Sequence, residues 1–233
     1  MPEDTIQTVA PRWVPGDLRD LDLVQRATIA GSLSRPLYTF FKRLVDVVAS
    51  LCGILLCLPL WAMIAVLIKL DSSGPVFFRQ KRPGLRGVPF TLYKFRTMAS
   101  DAEDRLRDVM HLNREVSGSL IRIDDDPRVT RVGRFLRASS LDETPQLVNI
   151  LLGHMSLVGP RPISRPITDT RNPVRLGVLP GLTGLWQISG RKNTGCAYMI
   201  ERDLEYICNR SILYDLRIII QTVLVVLRRT GAK

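Results

Sequence analysis

Cysteine and histidine are scarce in this 233-residue chain, with four of one and two of the other. Cys52 and Cys57 lie in an apolar run, and Cys196 and Cys208 are 12 positions apart. Neither pair has the close CxxC spacing of a zinc or redox centre, so reduced, buried thiols in a cytoplasmic setting are expected. His111 and His154 are isolated and cannot supply the usual transition-metal ligands, so any metal should be bound by oxygen. Acidic residues are also in deficit, 22 against 33 Lys and Arg, for a net charge of +11. Such an excess alone would suit nucleic acid. Here, however, the bases flank an apolar run instead of forming a helix-turn-helix surface, which points to anionic headgroups and phosphorylated substrates and away from nucleic acid. With 45% hydrophobic residues, the chain has room for one medium domain plus a membrane element and no second full domain.

The membrane element is the 22-residue uncharged stretch from Val47 to Ile68. A straight helix of that length would cover about 33 Å, enough for the ~30 Å hydrocarbon core. Pro59 interrupts it just past the middle, removing a backbone donor and clashing with the carbonyl four residues earlier, so a bend is expected between Leu55 and Pro59. Lys42 and Arg43 precede the run, while Lys69, Arg79, Lys81, Arg82, Arg86, Lys94 and Arg96 follow it. Basic flanks favour the cytoplasmic side, and both ends carry them. A re-entrant helix-break-helix satisfies both flanks, whereas a kinked single span satisfies one. On these residues alone both readings stay open. A cleaved leader is not expected, because the run starts beyond residue 40, exceeds a signal h-region and ends in Lys69-Leu70-Asp71 without a small-residue cleavage site.

Residues 1–36 hold four prolines and no sustained period, which reads as a variable, partly helical N-terminal tail. After the apolar run, Ser73-Gly74-Pro75 marks a turn, and Val76-Phe77-Phe78 and Phe90 to Tyr93 read as strands joined through Pro83-Gly84 and Arg86-Gly87, a basic hairpin beside the membrane. Ser100 and Glu103 fit a capping box, with Asp101/Arg105 and Glu103/Arg107 at i,i+4 spacing, so an exposed helix is expected over 101–112. Asp124-Asp125-Asp126 lacks the spaced oxygens of a calcium loop and reads as a polar turn. Ile218 to Leu227 is too short to span and suits an interfacial or core helix.

The chemistry concentrates between Arg128 and Pro162. Arg128, Arg131, Arg134 and Arg137 recur every three residues, a spacing expected to gather guanidinium groups on one side of a helical turn. Asp142 and Glu143 follow, just before Thr144 as a cap, Pro145 in a first helical turn and Gly153 as the exit. A helix start and the arginines would keep both carboxylates ionised and would attract phosphate. An ionised aspartate can attack phosphorus, and a neighbouring acid can hold a divalent cation against a diphosphate. Acids near helix starts are equally common as capping groups. Pro160-Arg161-Pro162 adds a rigid loop able to hold a guanidinium toward a phosphate or a base edge, with a solvent-exposed turn as the plain alternative.

Taken in order, Lys42-Arg43 with Asp46 before the Pro59-broken run, Gly74-Pro75-Val76-Phe77-Phe78 with Gln80, Lys94-Phe95-Arg96-Thr97-Met98, Asp126-Pro127-Arg128-Val129-Thr130, Leu136-Arg137, Ser140-Leu141-Asp142-Glu143, Pro145-Gln146 and Gly159-Pro160-Arg161-Pro162 resemble the bacterial sugar transferase family, the monotopic polyprenyl-phosphate phosphoglycosyl transferases. The resemblance runs from about Phe41 to Gly231. It implies an α+β, helix-dominated fold: a re-entrant membrane helix over about 44–70, a small β-hairpin, and membrane-surface helices around an active site at the cytoplasmic face of the bacterial inner membrane. It divides the chain into a tail, 1–36, and a transferase domain, 37–233. The implied reaction moves a sugar 1-phosphate from a UDP-sugar to undecaprenyl phosphate and releases UMP. Asp142 would be the nucleophile, Glu143 a ligand for Mg2+, Arg137 and Arg161 phosphate ligands, and Pro160 and Pro162 neighbours of the uridine. Lys94 and Arg96 would steady a phosphate.

Pro180 to Arg191 is similar to members that start exopolysaccharide or O-antigen units with galactose or glucose 1-phosphate. Asp203, Tyr206 and Asn209 match that group, while Cys196, Met199 and Arg210 stand near positions where it commonly has an aromatic residue, an arginine and a tryptophan. Leu58 likewise stands where relatives often have a serine. The chosen sugar and a homodimer are left open. The competing reading is a noncatalytic membrane scaffold or regulator of polysaccharide synthesis; for that role Asp142, Glu143, Arg137 and Arg161 together have no evident use.

Overall fold

The computed structural model describes residues 18–32, 35–113, 123, 125–163, 172–189 and 196–227. Helices dominate them, with α1 (Leu18–Ser32) and α2 (Pro36–Asp71) ahead of a hairpin, β1 (Phe77–Pro83) and β2 (Pro89–Phe95). Then come α3 (Leu106–Val109), α4 (Arg131–Ser139), α5 (Gln146–Leu151), β3 (Ser156–Val158), α6 (Asn172–Arg175), β4 (Gly181–Thr183), α7 (Leu185–Ile188), α8 (Cys196–Asn209) and α9 (Ile212–Leu227). β1 and β2 pair antiparallel, Phe78 opposite Lys94 and Arg82 opposite Phe90, while β3 and β4 form a short parallel pair.

α2 begins earlier than the apolar run requires, with Pro36 near its start, where a missing N–H costs nothing. It stays helical through Pro59, so the proline removes one hydrogen bond without inserting a nonhelical residue. One face packs on the body along its whole length. Asp46 and Ser50 are buried ahead of the proline and Ile64 and Ile68 after it, at the same spacing of four. Gly53 lies so close to Leu147 that a β-carbon would stand 3.0 Å from its Cδ1. The other face is bare: Leu56 and Leu70 are each 79% exposed, and only 11% of the most apolar 18-residue window is buried. The helix is long and apolar enough to cross a membrane, and an apolar surface left outside the core marks a membrane-associated protein.

Three apolar clusters hold the body. Ile64 and Ile68 of α2 meet Phe95 and Leu136; Phe90 and Leu92 of the hairpin meet Leu147, Ile150 and Met155; and α8 contributes Ile200, Leu204 and Ile207 to a cluster with Val158 and Ile218. Ala27 and Ala30 of α1 belong to this last cluster, so residues 18–32, expected within a variable tail, form a helix packed on α8. The helix expected over 101–112 is shorter: one α turn, Leu106–Val109, continues as a 3-10 turn over Met110–Leu112, and Arg105 N–H donates to the Asp101 carbonyl.

Candidate active site

The acid pair is set between two cationic segments by local constraints. Thr130 caps α4 by accepting from Gly133 N–H (3.0 Å), and a β-carbon at Gly133 would overlap the Thr97 carbonyl. That close approach lets Arg137 Nε donate to Thr97 Oγ1 at 2.9 Å. The helix ends at Ser140, which takes a left-handed conformation (φ 58°, ψ 16°) that non-glycine residues rarely adopt. This reversal throws Leu141–Glu143 into a 3-10 turn leading to α5. The expected Thr144 cap is not formed, because the chain is already turning before α5 begins. Thr144 Oγ1 donates instead to the Leu141 carbonyl (2.8 Å) and accepts from Trp61 Nε1 (2.9 Å). Gly153 ends the segment in the left-handed region (φ 83°), as its position suggested.

α5 is fixed to the hairpin by Asn149, whose side chain substitutes for a strand. Nδ2 donates to the Thr91 carbonyl (2.7 Å) and Oδ1 accepts from Tyr93 N–H (3.0 Å). The next residue of β2, Lys94, is thereby brought to Glu143, Nζ to Oε1 at 2.7 Å. Arg161 Nη2 reaches the same oxygen at 3.1 Å. The loop carrying Arg161 has prolines on both sides and thus few N–H donors, yet all three carbonyls are clamped. Gly181 N–H donates to Pro160 O (2.9 Å), Arg175 Nη2 to Arg161 O (2.9 Å) and Arg82 Nη1 to Pro162 O (3.0 Å). Arg175 is itself held by buried Asp203, Nε to Oδ2 at 2.7 Å.

The two acids are treated differently, where the sequence suggested that both would be held ionised. Burial alone would raise the Glu143 carboxyl, but Lys94 and Arg161 together hold it well below the usual carboxylate range. Asp142 is only 8% exposed, and burial lifts it above its ordinary value; Lys94 opposes this, Glu143 adds to it, and Arg137 and Arg161 pull it back. Among the described residues its carboxylate accepts no hydrogen bond. Glu143 is therefore a fixed anion, while Asp142 is a more basic carboxylate with free oxygens.

Of the residues singled out in the sequence, Asp142, Glu143, Lys94, Arg137, Arg161, Pro160 and Pro162 converge. Arg96 does not join them. Its Nη1 donates to Ser73 O (2.6 Å) and its Nη2 to Ser72 O (2.7 Å), closing the C-terminal end of α2, because β2 ends at Phe95 and the next residue meets that helix end. The three-residue arginine spacing does not make a single cluster either. Each step of three falls about 60° short of a full helical turn, so the side chains fan out. Arg131 and Arg134 are exposed, and Arg128 forms a buried bidentate pair with Asp126, at 2.9 and 2.7 Å. Asp126 is thus structural; Asp124 lies outside the described residues.

Arg82, in sequence a membrane-flanking base, lines one cleft with Lys94, Glu143, Gln146, Arg161, Pro162 and Leu182. A signal for it was present. Side chains of a strand alternate, and the hairpin register puts Arg82, Gln80, Leu92 and Lys94 on one face. Trp61 was also missed. Besides its bond to Thr144 it meets the Phe95 ring edge-on (centroids 6.0 Å apart, 85° between planes), bracing both acid-bearing and base-bearing segments from the membrane helix.

A carboxylate pair ringed by cations, Asp142 buried and Glu143 half-buried, sits on a body carrying one bare apolar helix, the arrangement of a membrane-associated protein. The family model described as bacterial sugar transferase matches residues 37–229, and the chain belongs to that family. It is 41% identical over 196 residues to the galactosyl transferase CpsE of Streptococcus agalactiae, covering 82% of this chain and 43% of that protein. It is 40% identical over 195 residues to the exopolysaccharide production protein ExoY of Rhizobium meliloti (81% and 86%). A UDP-glucose:undecaprenyl-phosphate glucose-1-phosphate transferase of Caulobacter vibrioides is 42% identical over 204 residues (83% and 72%). The chain thus spans less than half of the streptococcal relative and most of the other two.

Proposed function

We propose that this protein transfers a sugar 1-phosphate from a UDP-sugar to undecaprenyl phosphate, an opening step of exopolysaccharide or O-antigen repeat-unit assembly. The observation that carries the reading is the split between the acids: Glu143 is held through Oε1 by Lys94 and Arg161, while Asp142, raised and free of hydrogen bonds among the described residues, is available as a nucleophile. An Asp142 oxygen attacks the sugar-linked phosphorus, the bond to the bridging oxygen breaks, and its electron pair leaves with UMP. A phosphate oxygen of undecaprenyl phosphate then attacks the aspartyl-bound phosphorus, returning the carboxylate and giving a lipid-linked diphosphosugar. Arg137, Lys94 and Arg161 balance phosphate charge in both steps.

Magnesium suits this donor set. Among the described residues no cluster of three acidic, histidine or cysteine side chains exists, but Mg2+ commonly takes one or two carboxylates plus substrate phosphates. Lys94 and Arg161 both bind Glu143 Oε1, which leaves Oε2 for a cation. When bound, the ion would neutralise the diphosphate.

The same reading puts α2 into the cytoplasmic leaflet of the inner membrane as a re-entrant element. In support, both ends are tied to one body. Lys42 Nζ binds Asp215 (2.7 Å) and the Val158 carbonyl (3.0 Å), and 29 residues later Asp71 accepts from Val132 N–H (3.0 Å). Contacts at Gly53, Trp61 and Ile64 run between those anchors, so the helix keeps one face on the body throughout, whereas a span across the ~30 Å hydrocarbon core would take its middle away from the body. A noncatalytic scaffold has no observation in its favour.

The test is to incubate membranes containing the full chain with a panel of radiolabelled UDP-sugars and magnesium. Label should enter the lipid fraction with UMP in the water phase, and omission of the lipid acceptor should leave label on the wild-type protein and none on Asp142→Asn. No transfer from any common UDP-hexose or N-acetylated sugar would sink the assignment.

A further inference from the structure

The cleft beside Glu143 holds three cations, Arg82, Lys94 and Arg161, around one fixed carboxylate. Lys94 and Arg161 are both committed to Glu143 Oε1. Arg82 is not: its Nη1 donates to the Pro162 carbonyl, and its Nε is buried without a hydrogen-bond partner. Burial and the neighbouring Arg161 push this guanidinium down to about 10, with Glu143 opposing. A buried donor and two adjacent guanidinium groups are costly unless an anion shares the cleft.

Arg82 lines this cleft with Lys94, Glu143, Arg161 and Pro162, while Asp142, next to Glu143 in the chain, and Arg137, held by Thr97, are not part of its lining. A diphosphate reaching from the cleft to Asp142 would bring its sugar-linked phosphorus there and leave its nucleoside-linked phosphate beside Arg82.

Building on the proposed transfer reaction, we infer that Arg82 binds the nucleoside-linked phosphate of the UDP-sugar and holds the departing UMP. The sugar phosphate and the lipid phosphate are served by Arg137.

The test compares inhibition by UMP with inhibition by uridine, in membranes containing wild-type protein or Arg82→Gln. Loss of a charge-assisted phosphate contact should weaken UMP about tenfold or more and leave uridine unchanged, with the KM for undecaprenyl phosphate unaltered. Equal weakening of UMP and uridine would show that Arg82 only positions the Pro162 loop, and no weakening of either would show that it touches no phosphate; each overturns the inference. Should Arg82→Gln not fold, Arg82→Lys keeps a donor for Pro162 and must still lower the UMP-to-uridine preference. Failure of the wild-type protein to release UMP from any UDP-sugar would sink the transfer reaction and this inference together, whereas normal wild-type turnover with an unchanged preference in the variant sinks the inference alone.

Discussion

Two charged clusters secure α2 to the body, and they are built to opposite ends. Near its start, Lys42 meets Asp215 (2.7 Å), Tyr206 Oη donates to the other Asp215 oxygen (2.8 Å) and Tyr38 Oη to the first (3.0 Å), while the other two lysine protons go to the Val158 carbonyl (3.0 Å) and Tyr206 Oη (3.4 Å). Both Asp215 oxygens are filled, and the buried Asp46 lies beside the same lysine. Near its end, Trp61 braces a cluster in which Lys94, Arg161, Arg82 and Arg137 surround two acids, and one acid carries no hydrogen bond among the described residues. A closed network specifies a position; an open one with surplus positive charge leaves free energy for an anionic ligand to collect. The difference marks which cluster is a lock and which is a site.

The contrast is broken most directly by exchanging carboxylates for amides at both places. Asp142→Asn should reduce sugar-phosphate transfer by on the order of 10^4-fold while thermal stability and membrane association stay as in the wild type. Asp215→Asn should do the reverse. It leaves the half-buried Lys42 without its bonded carboxylate, with Asp46 still nearby, which costs about 1–3 kcal/mol and shows as a lower Tm, with donor KM unchanged in the protein that remains folded. Loss of stability in the first variant, or loss of turnover alone in the second, would remove the distinction.

A smaller effect is expected from Lys94→Met, which leaves Glu143 to Arg161 alone. Turnover should fall about 10^2-fold, by analogy with removal of one preorganised donor, and a double-mutant cycle with Glu143→Gln should be strongly non-additive. Additivity would mean that the pair acts independently. Gly133→Ala should displace α4 from the Thr97 carbonyl, cost about 1–3 kcal/mol, and weaken turnover through the Arg137–Thr97 contact, which paired thermal melts and rate assays would separate.

The smallest effect concerns the Arg175–Asp203 pair behind Arg161. Burial raises Asp203 to about 6, against the pull of Arg175. A carboxyl with a raised folded value binds more protons when native, so its contribution is present below the unfolded value near 3.8 and is lost as pH rises through about 6. The Tm difference, wild type minus Asp203→Asn, should therefore decline between pH 4 and 6 and be flat above. A difference that increases over that window would show the opposite shift.

Local patterns made the acid pair, the hairpin and the Pro-Arg-Pro loop readable, because each depends on neighbours within a few positions. Gly153 followed from helix-ending chemistry in the same way. Arg96 and Lys94 could not be told apart on those grounds. They are two residues apart in one basic motif, and only the end of β2 sends one to a helix terminus and the other to Glu143. The arginine repeat misled because helical drift separates residues spaced by three, and because Arg128 had a partner, Asp126, two positions back. Arg82 was discoverable from strand alternation, but its importance depends on Pro162, 80 positions away.

The sequence by itself determined what is short-ranged or compositional: a surplus of positive charge, an apolar segment that must leave water, a proline within it, and two adjacent carboxylates after a basic helix. Tertiary structure alone decided how charges are shared. Whether a carboxylate has both oxygens filled, as Asp215 has, one, as Glu143 has, or neither among the described residues, as Asp142, depends in part on cations 18 to 173 positions distant. Electrostatic strength depends on separation and burial, and neither can be read from order along the chain.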